Sequence, residues 1–239
     1  MTGDPDLTPD GDPIGPVVSG WTLRARPARA VMTGRTVVLE PLDAARHADD
    51  LFAAQAESLN GRMWTYMPNG PYATVSDYRA WAKQAQSRED PLHFAVISRE
   101  TGRALGTASY LRIDPANGAV EVGWIAFPPA LQRTAMSTEA MALMMAHVFD
   151  DLGYRRYEWK CNALNAPSIR AAERLGFTFE GLFRQAVIVK GRNRDTAWYA
   201  ILDREWPKAK AAFDAWLDPA NFDAEGRQKR RLEAIRAAL

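Results

Sequence analysis

Two features of the chain have the residue types and spacing to do chemistry. The first is Gln132-Arg133-Thr134-Ala135-Met136-Ser137-Thr138, which follows an apolar segment closed by Pro128 and Pro129 and opens a helical stripe. A strand that stops at proline and turns into a helix leaves several backbone N–H groups unpaired at the helix start. With the positive end of the helix dipole, those donors suit a pyrophosphate. Taken alone, the run equally describes an ordinary strand–turn–helix. The second feature is Glu121, an acid inside an apolar strand, on one face with Gly123, Ile125 and Phe127. A carboxylate there can act as a general base, although a lone acid in a strand is more commonly solvated or paired.

Other reactive side chains lack company. Asn165 and Ser168 flank Pro167, a spacing that helix capping explains by itself. Cys161 sits in a strand as a small buried hydrophobe. His93 and His147 have no partner at catalytic or metal-binding spacing and read as structural. The chain has neither metal-ligand cysteine spacing nor a glycine-rich phosphate loop ending in Lys-Ser/Thr.

The elements that must position these residues are legible from periodicity. Residues 1–28 are rich in proline, glycine and aspartate and are expected as a flexible arm. Val31 to Pro41 reads as one strand, and helices are expected from Asp43 to Glu57 and from Ser76 to Ser87. Asn60 to Thr74 is an aromatic-rich loop. His93 to Arg99, Ala104 to Ile113 and Ala119 to Phe127 form an antiparallel meander. Met141, Met144, Met145, Val148, Phe149 and Leu152 make one helical stripe, expected in the core. The strand Tyr154 to Asn162 follows, so strand, helix and strand imply a parallel pair with a right-handed crossover. A short helix from Ser168 to Leu175 leads to a hairpin, Phe183 to Val189 and Thr196 to Leu202. From Glu205 onward the chain reads as helical. Its basic run Arg227, Lys229, Arg230 and Arg231 is expected as a solvated helical face, with Glu225 and Glu233 a turn either side of Lys229.

Composition bounds the partners. The 239 residues carry 30 basic and 29 acidic side chains, a net charge of +1. That balance gives no electrostatic reason to expect nucleic acid or a membrane surface as partner. One cysteine forms no internal disulfide, and the opening residues carry no signal-peptide pattern. A cytoplasmic location is expected.

The stretch Glu121-Val-Gly-Trp-Ile-Ala-Phe-Pro-Pro-Ala-Leu-Gln-Arg-Thr-Ala-Met-Ser-Thr-Glu-Ala140 resembles the acyl-CoA site of the GNAT N-acetyltransferase superfamily. Asn165-Ala-Pro-Ser-Ile-Arg-Ala-Ala-Glu-Arg-Leu-Gly-Phe-Thr-Phe-Glu-Gly181 resembles the segment after the next strand in that family. Their order and separation most resemble the RimJ/RimL branch, which acetylates protein N-termini. The resemblance implies a mixed α/β fold: a mostly antiparallel sheet flanked by helices, with a splayed parallel strand pair at the acyl-CoA site. It implies an N-acetyltransferase domain over residues 29–207, with 208–239 as a helical extension.

It further implies that acetyl-CoA is cosubstrate and that an amine, on a protein N-terminus or a small molecule, is acceptor. Ile125 and Phe127 would lie along the pantetheine arm, with Gln132, Arg133, Thr134, Ala135, Met136, Ser137 and Thr138 around the phosphates. Asn165 and Ser168 match cofactor contacts, and Glu121 matches the general base. Two departures stand out. Ala135 and Ser137 occupy places where the family has glycine, and each fits only with right-handed helical dihedrals. Ala172 stands where relatives carry an acidic tyrosine, leaving Ser168 or water to protonate the thiolate. Transfer of a bulkier acyl group such as succinyl, or a CoA-binding module without catalysis, are the alternatives. The acceptor groove would have walls at Met63–Tyr72, with Trp64, Tyr66 and Tyr72, and at the turn holding Lys190, Arg192 and Arg194, whose charges would favour an acceptor carrying negative charge near its amine. Packing of a long loop and a solvated hairpin tip explain the same residues equally well. A homodimer is compatible with this reading.

Overall fold

The computed structural model describes residues 6–239, Leu59 and Asn60 by their backbone alone. The first five residues of the expected arm lie outside the described residues. In chain order the elements are β1 (Asp6–Leu7), β2 (Pro13–Ile14), β3 (Met32–Thr33), β4 (Val37–Pro41), α1 (Ala44–Ala56), a 3-10 turn (Leu59–Trp64) and α2 (Val75–Ala85). There follow β5 (Leu92–Ser98), β6 (Ala104–Asp114), β7 (Ala119–Ala126), α3 (Ala135–Ala146), a π-helical turn (His147–Asp151), β8 (Arg156–Asn162) and α4 (Ala166–Leu175). β9 (Thr178–Val189), β10 (Arg192–Leu202), α5 (Trp206–Leu217) and α6 (Leu232–Ala238) complete the chain.

Among the described residues, eight strands form one sheet in the order β3-β4-β5-β6-β7-β8-β10-β9. Every neighbouring pair is antiparallel except β7–β8, which is parallel. The mixed fold with one parallel pair is the one expected. Strand alternation decides what each face holds. In β8, Tyr157, Trp159 and Cys161 enter the core with α3, α4 and α5, while Glu158 and Lys160 take the opposite face. On that opposite side α1 and α2 cover Ala95, Ile97 and Ala104 with Leu51, Tyr78 and Ala82. Helix α3 is apolar around its circumference and is accordingly interior, with Ala140, Met141, Met144 and Met145 buried. The buried Tyr110 hydroxyl ties α3 to β6 by donating to the Met144 carbonyl at 2.8 Å. No helix of the described residues is long and apolar enough to cross a membrane.

The span Val31 to Pro41 is not one strand but β3 and β4 joined by a tight turn. The cause is Glu139 on α3, a buried carboxylate that accepts from the Arg35 amide at 2.6 Å and the Thr36 amide at 2.7 Å. It also accepts from the Val37 amide and the Thr36 hydroxyl. Four donors otherwise stranded in the turn thus converge on one acid. Gly34 makes room for it, because a Cβ there would lie 2.7 Å from Glu139 Cδ.

The segment around Trp21 and the C-terminal segment both dock on the domain. Trp21 donates to the Ala116 carbonyl at 2.7 Å, and Tyr154 donates to that of Ala25 at 3.0 Å, so this part of the arm lies along the β6–β7 turn. At the other end the basic run is an irregular segment of turns and bends rather than a helix. Buried Asn221 bonds the Arg230 backbone in both directions, and Arg227 pairs with Asp223 and Glu225 at 2.8 Å. Those bonds replace the intrahelical ladder, and α6 starts only at Leu232. Arg236 then donates to the Glu173 and Arg174 carbonyls in the last turn of α4.

Glu139→Ala removes the acceptor from four donors, three of them backbone amides. Chemical denaturation should show a loss of about 3 kcal/mol or more, and Glu139→Gln a smaller one.

Candidate active site

β7 and β8 pair in parallel only from Ala119 opposite Arg156 to Val122 opposite Trp159. Beyond that rung both strands continue, β7 to Ala126 and β8 to Asn162, without pairing to each other. The parting coincides with a bulge in β7: the register against β6 slips between Gly123 and Ala126, and Trp124 takes φ +50°. A bulge leaves a residue unpaired and bends its strand away from the neighbour. Residues 123–126 therefore have no strand partner on the β8 side, and the gap between the two strands is the candidate cleft.

Beside the cleft, on the α1–α2 face, lies a ladder of charges. Glu121, 4% exposed, has its Oε2 2.9 Å from Arg112 Nε and 3.2 Å from Lys160 Nζ. These are charge contacts rather than directed hydrogen bonds, since that oxygen has no well-aligned donor. Lys160 also meets Glu158 at 2.6 Å and lies 3.7 Å from the Trp198 ring centre. Arg156 joins Glu158 to Glu180. Burial is the largest influence on Glu121 and raises its pKa, against the opposing pull of Lys160 and Arg112. Burial acts the same way on Glu158, but hydrogen bonds from Lys160 and Arg156 overcome it and hold that carboxyl below the usual range. Two carboxylates opposite one another in register are thus pushed apart in acidity, the arrangement that separates a proton acceptor from a fixed charge.

Arg112 reaches Glu121 from a second bulge, at φ +50°, where Asp90 accepts from the Arg112 and Ile113 amides at 3.0 Å. Further along this face His93 shares a 2.6 Å hydrogen bond with Ser109 and meets Trp81 and Trp124 edge-on. Burial pushes its pKa down to about 4, so it is neutral at neutral pH and serves as packing.

At the far end of β7 the Gln132 to Thr138 turn is built as a capped helix start. Thr134 is the N-cap, its hydroxyl accepting from the Ser137 amide at 3.1 Å. Gln132 fixes the turn by donating from its side chain to the Phe127 carbonyl at 2.7 Å and from its amide to that of Pro128. The amides of Gln132 and Ser137 are therefore occupied within the chain, and those of Ala135 and Met136 remain as open donors of the first turn. Ala135 and Ser137 are helical, so neither needs glycine. The left-handed residue is Arg133, at φ +61°. Thr138 is buried and accepts from Arg174 at 3.1 Å. Ile125 and Phe127 are half-buried against the core on the α3 side, so the bulge at Trp124 puts them on the face opposite Glu121 rather than on the shared face expected.

Asn165 caps α4 by accepting from the Ser168 amide, and the Ser168 hydroxyl accepts from Trp159 Nε1 at 3.0 Å. Ser168 also borders Cys161, whose thiol burial pushes up. Ala172 is fully buried.

Residues 36–178 match the family model described as an acetyltransferase (GNAT) domain. The chain belongs to the GNAT acetyltransferase family. It is 49% identical to a solved GCN5-related N-acetyltransferase from Brucella melitensis, with a TM-score of 0.89 over 92% of this chain and 100% of that one. A ribosomal-protein-serine acetyltransferase of Escherichia coli K12 is 30% identical, covering 52% of this chain and 78% of its own. A microcin C7 self-immunity acetyltransferase, MccE, solved with acetyl-CoA and AMP, shares the fold at 21% identity, with a TM-score of 0.61 over 71% of this chain and 93% of its own.

In this GNAT chain the two expected acceptor walls touch each other. Lys190 donates to the carbonyls of Trp64 at 3.1 Å, Asn69 at 3.3 Å and Gly70 at 2.8 Å. Its charge therefore serves the loop rather than an acceptor, contrary to expectation. Trp64 is 3% exposed and packs edge-on against Tyr72, so it is core, and Tyr66 donates to the Leu164 carbonyl at 3.0 Å. Arg192 is exposed on the hairpin, whereas Arg194 turns inward. Sequence reasoning missed Arg112, Glu158 and Lys160. The signal for two of them was present: Arg156, Glu158 and Lys160 alternate with Tyr157, Trp159 and Cys161, so a strand apolar on one face carried charges on a face that is also covered.

Lys190→Met should loosen the roof without unfolding the domain. Hydrogen exchange across residues 64–70 should speed up severalfold, while global stability changes by about 1 kcal/mol or less.

Proposed function

We propose that the chain transfers an acetyl group from acetyl-CoA to a primary amine by direct attack, with no covalent enzyme intermediate. The observation that carries this reading is the parting of β7 and β8 beside a buried carboxylate of raised pKa. Backbone groups of residues 123–126 are free to bond an extended pantetheine arm, as Ile125 and Phe127 were expected to border it. The Ala135 and Met136 amides, with the dipole of a 12-residue helix behind them, suit the pyrophosphate. The acetyl-CoA named with MccE, a neighbour in fold, is consistent with this cosubstrate.

In the proposed reaction the ammonium of the acceptor gives a proton to Glu121, directly or through water. The freed nitrogen lone pair bonds the thioester carbonyl carbon, and the carbon–sulfur bond breaks. The departing thiolate, of reference pKa about 8.5, takes its proton from Ser168 or water, since Ala172 offers none. The acceptor is a protein N-terminus, to which the RimJ/RimL likeness points, or a small-molecule amine, which the same scaffold reaches. The helical dihedrals of Ala135 and Ser137 weigh against a merely degraded CoA-binding site.

Acetyl-CoA at about a hundred times its dissociation constant should stabilise the fold by about 2.7 kcal/mol, read as a rise in Tm. No shift at millimolar acetyl-CoA would sink the proposal.

Glu121→Gln should lower turnover by roughly 10² to 10⁴ with acetyl-CoA affinity nearly unchanged. Because burial raises the Glu121 pKa, the wild-type rate should climb with pH through a limb above the ordinary carboxylate range. That limb should vanish in the variant. A variant with a near-normal rate and the same profile would remove Glu121 from the mechanism.

A further inference from the structure

One cation near the cleft makes no direct ion pair. The ladder described above matches its charges: Arg112, Lys160 and Arg156 are engaged by Glu121, Glu158 and Glu180. Arg194 stands outside it. Its Nε is enclosed without a hydrogen-bond partner, and among the described residues no carboxylate pairs with its guanidinium. It is nonetheless half-buried, and burial is the largest cause holding it below the usual guanidinium range. Cys161, Glu121 and Arg112 are all near enough to act on it electrostatically, Cys161 most of the three. A desolvated charge with no partner costs stability, and such a residue persists where a ligand completes it.

Its place in the fold says which ligand group that is. Arg194, Thr196 and Trp198 alternate along β10, and Trp198 stacks with Lys160, so this is the face of the sheet that carries Glu121. Arg194 lies beyond the last β8–β10 rung, Thr196 opposite Asn162. There the Asp195 carbonyl accepts from the Ala163 amide, and Tyr66 reaches over to Leu164. The roof clamped by Lys190 hangs from the same hairpin. The start of α3, with its open amides, belongs to the other face of the sheet. The guanidinium therefore addresses the acceptor side and not the phosphates of the cosubstrate.

We propose that Arg194 binds a carboxylate of the acceptor while Glu121 receives the proton of its amine, so that the substrates are anionic amines: amino acids or peptides with an acidic residue near the N-terminus. This rests on the acetyl-transfer reading above. A bidentate guanidinium–carboxylate pair is geometrically selective as well as strong when shielded from water. It would supply the charge that the site lacks.

The test uses amines in carboxylate and carboxamide pairs, an amino acid against its amide and the amidated peptide Ser-Asp-Ala against Ser-Asn-Ala. Wild-type kcat/KM should favour the carboxylate member by about tenfold or more. Arg194→Gln should abolish that ratio and Arg194→Lys should keep part of it, with KM for acetyl-CoA moving less than about twofold. Arg194→Met should leave Tm unchanged or raised, because it removes an unpaired buried charge. The inference is overturned by a ratio near one in the wild type, or by a ratio that survives Arg194→Gln. It is equally overturned if Arg194→Gln weakens acetyl-CoA, if the carboxylate preference lies in succinyl-CoA over acetyl-CoA instead, or if Arg194→Met lowers Tm by several degrees. Transfer without carboxylate preference leaves acetyl transfer standing and removes only this inference. Should no amine be acetylated, the same pairs titrated calorimetrically into the CoA-bound protein still decide it. Binding of the carboxylate members alone supports Arg194 as their ligand, and equal binding or none overturns it.

Discussion

Beyond Val122 and Trp159 two adjacent strands stop exchanging hydrogen bonds, and the rest of the site is arranged around that parting. A sheet interior is costly to open, because every unpaired amide and carbonyl must find water or another partner. The cost is contained here by geometry. β7 pairs antiparallel with β6 on its other side, so it stays anchored there while it leaves β8. β8 in turn stays anchored to β10 through Asn162. β8 keeps an unbroken ladder with β10, β7 keeps one with β6 that two bulges interrupt, and the shared ladder is given up only beyond Val122.

Backbone strain is distributed accordingly. Among the described residues, the non-glycine residues with positive φ are Arg112, Trp124, Arg133, Gln185 and Lys190. Four of the five have a visible function in shaping the cleft. Trp124 turns β7 away, Arg112 is aimed at Glu121, Arg133 tightens the turn into α3, and Lys190 holds the roof loop. Such conformations cost of order 1 kcal/mol or more each and persist only where surrounding contacts over-determine them. Asp90 does this for Arg112, and Gln132 and Thr134 do it for Arg133.

Electrostatics follows the same logic. A carboxylate pushed up in pKa needs a dry site, but an isolated ion there would be prohibitive. The alternation of Glu121, Lys160, Glu158 and Arg156 across two strands resolves this by keeping the ladder nearly neutral as a whole. Within it, Glu158 takes the directed hydrogen bonds and Glu121 is left with looser charge contacts. The difference between the two acids is thus one of hydrogen-bond geometry, not of residue type.

Periodicity along the chain was enough to determine the strand–helix–strand order around α3, the parallel pair, and the position of Glu121 and the Gln132 to Thr138 turn. These depend on contacts between near neighbours, where apolar spacing and proline act directly. It was not enough for features that depend on residues distant in sequence. Glu139 breaks the first strand from over a hundred residues away, and Asn221 keeps the basic run from closing into a helix. Lys190 bonds a loop some 120 positions earlier, so a cation that looks free on paper is already engaged. Arg194 shows the reverse case, since only the folded surroundings reveal a charge that nothing matches. Local propensity determines which elements exist; which polar group meets which is decided by the register and packing of the whole sheet.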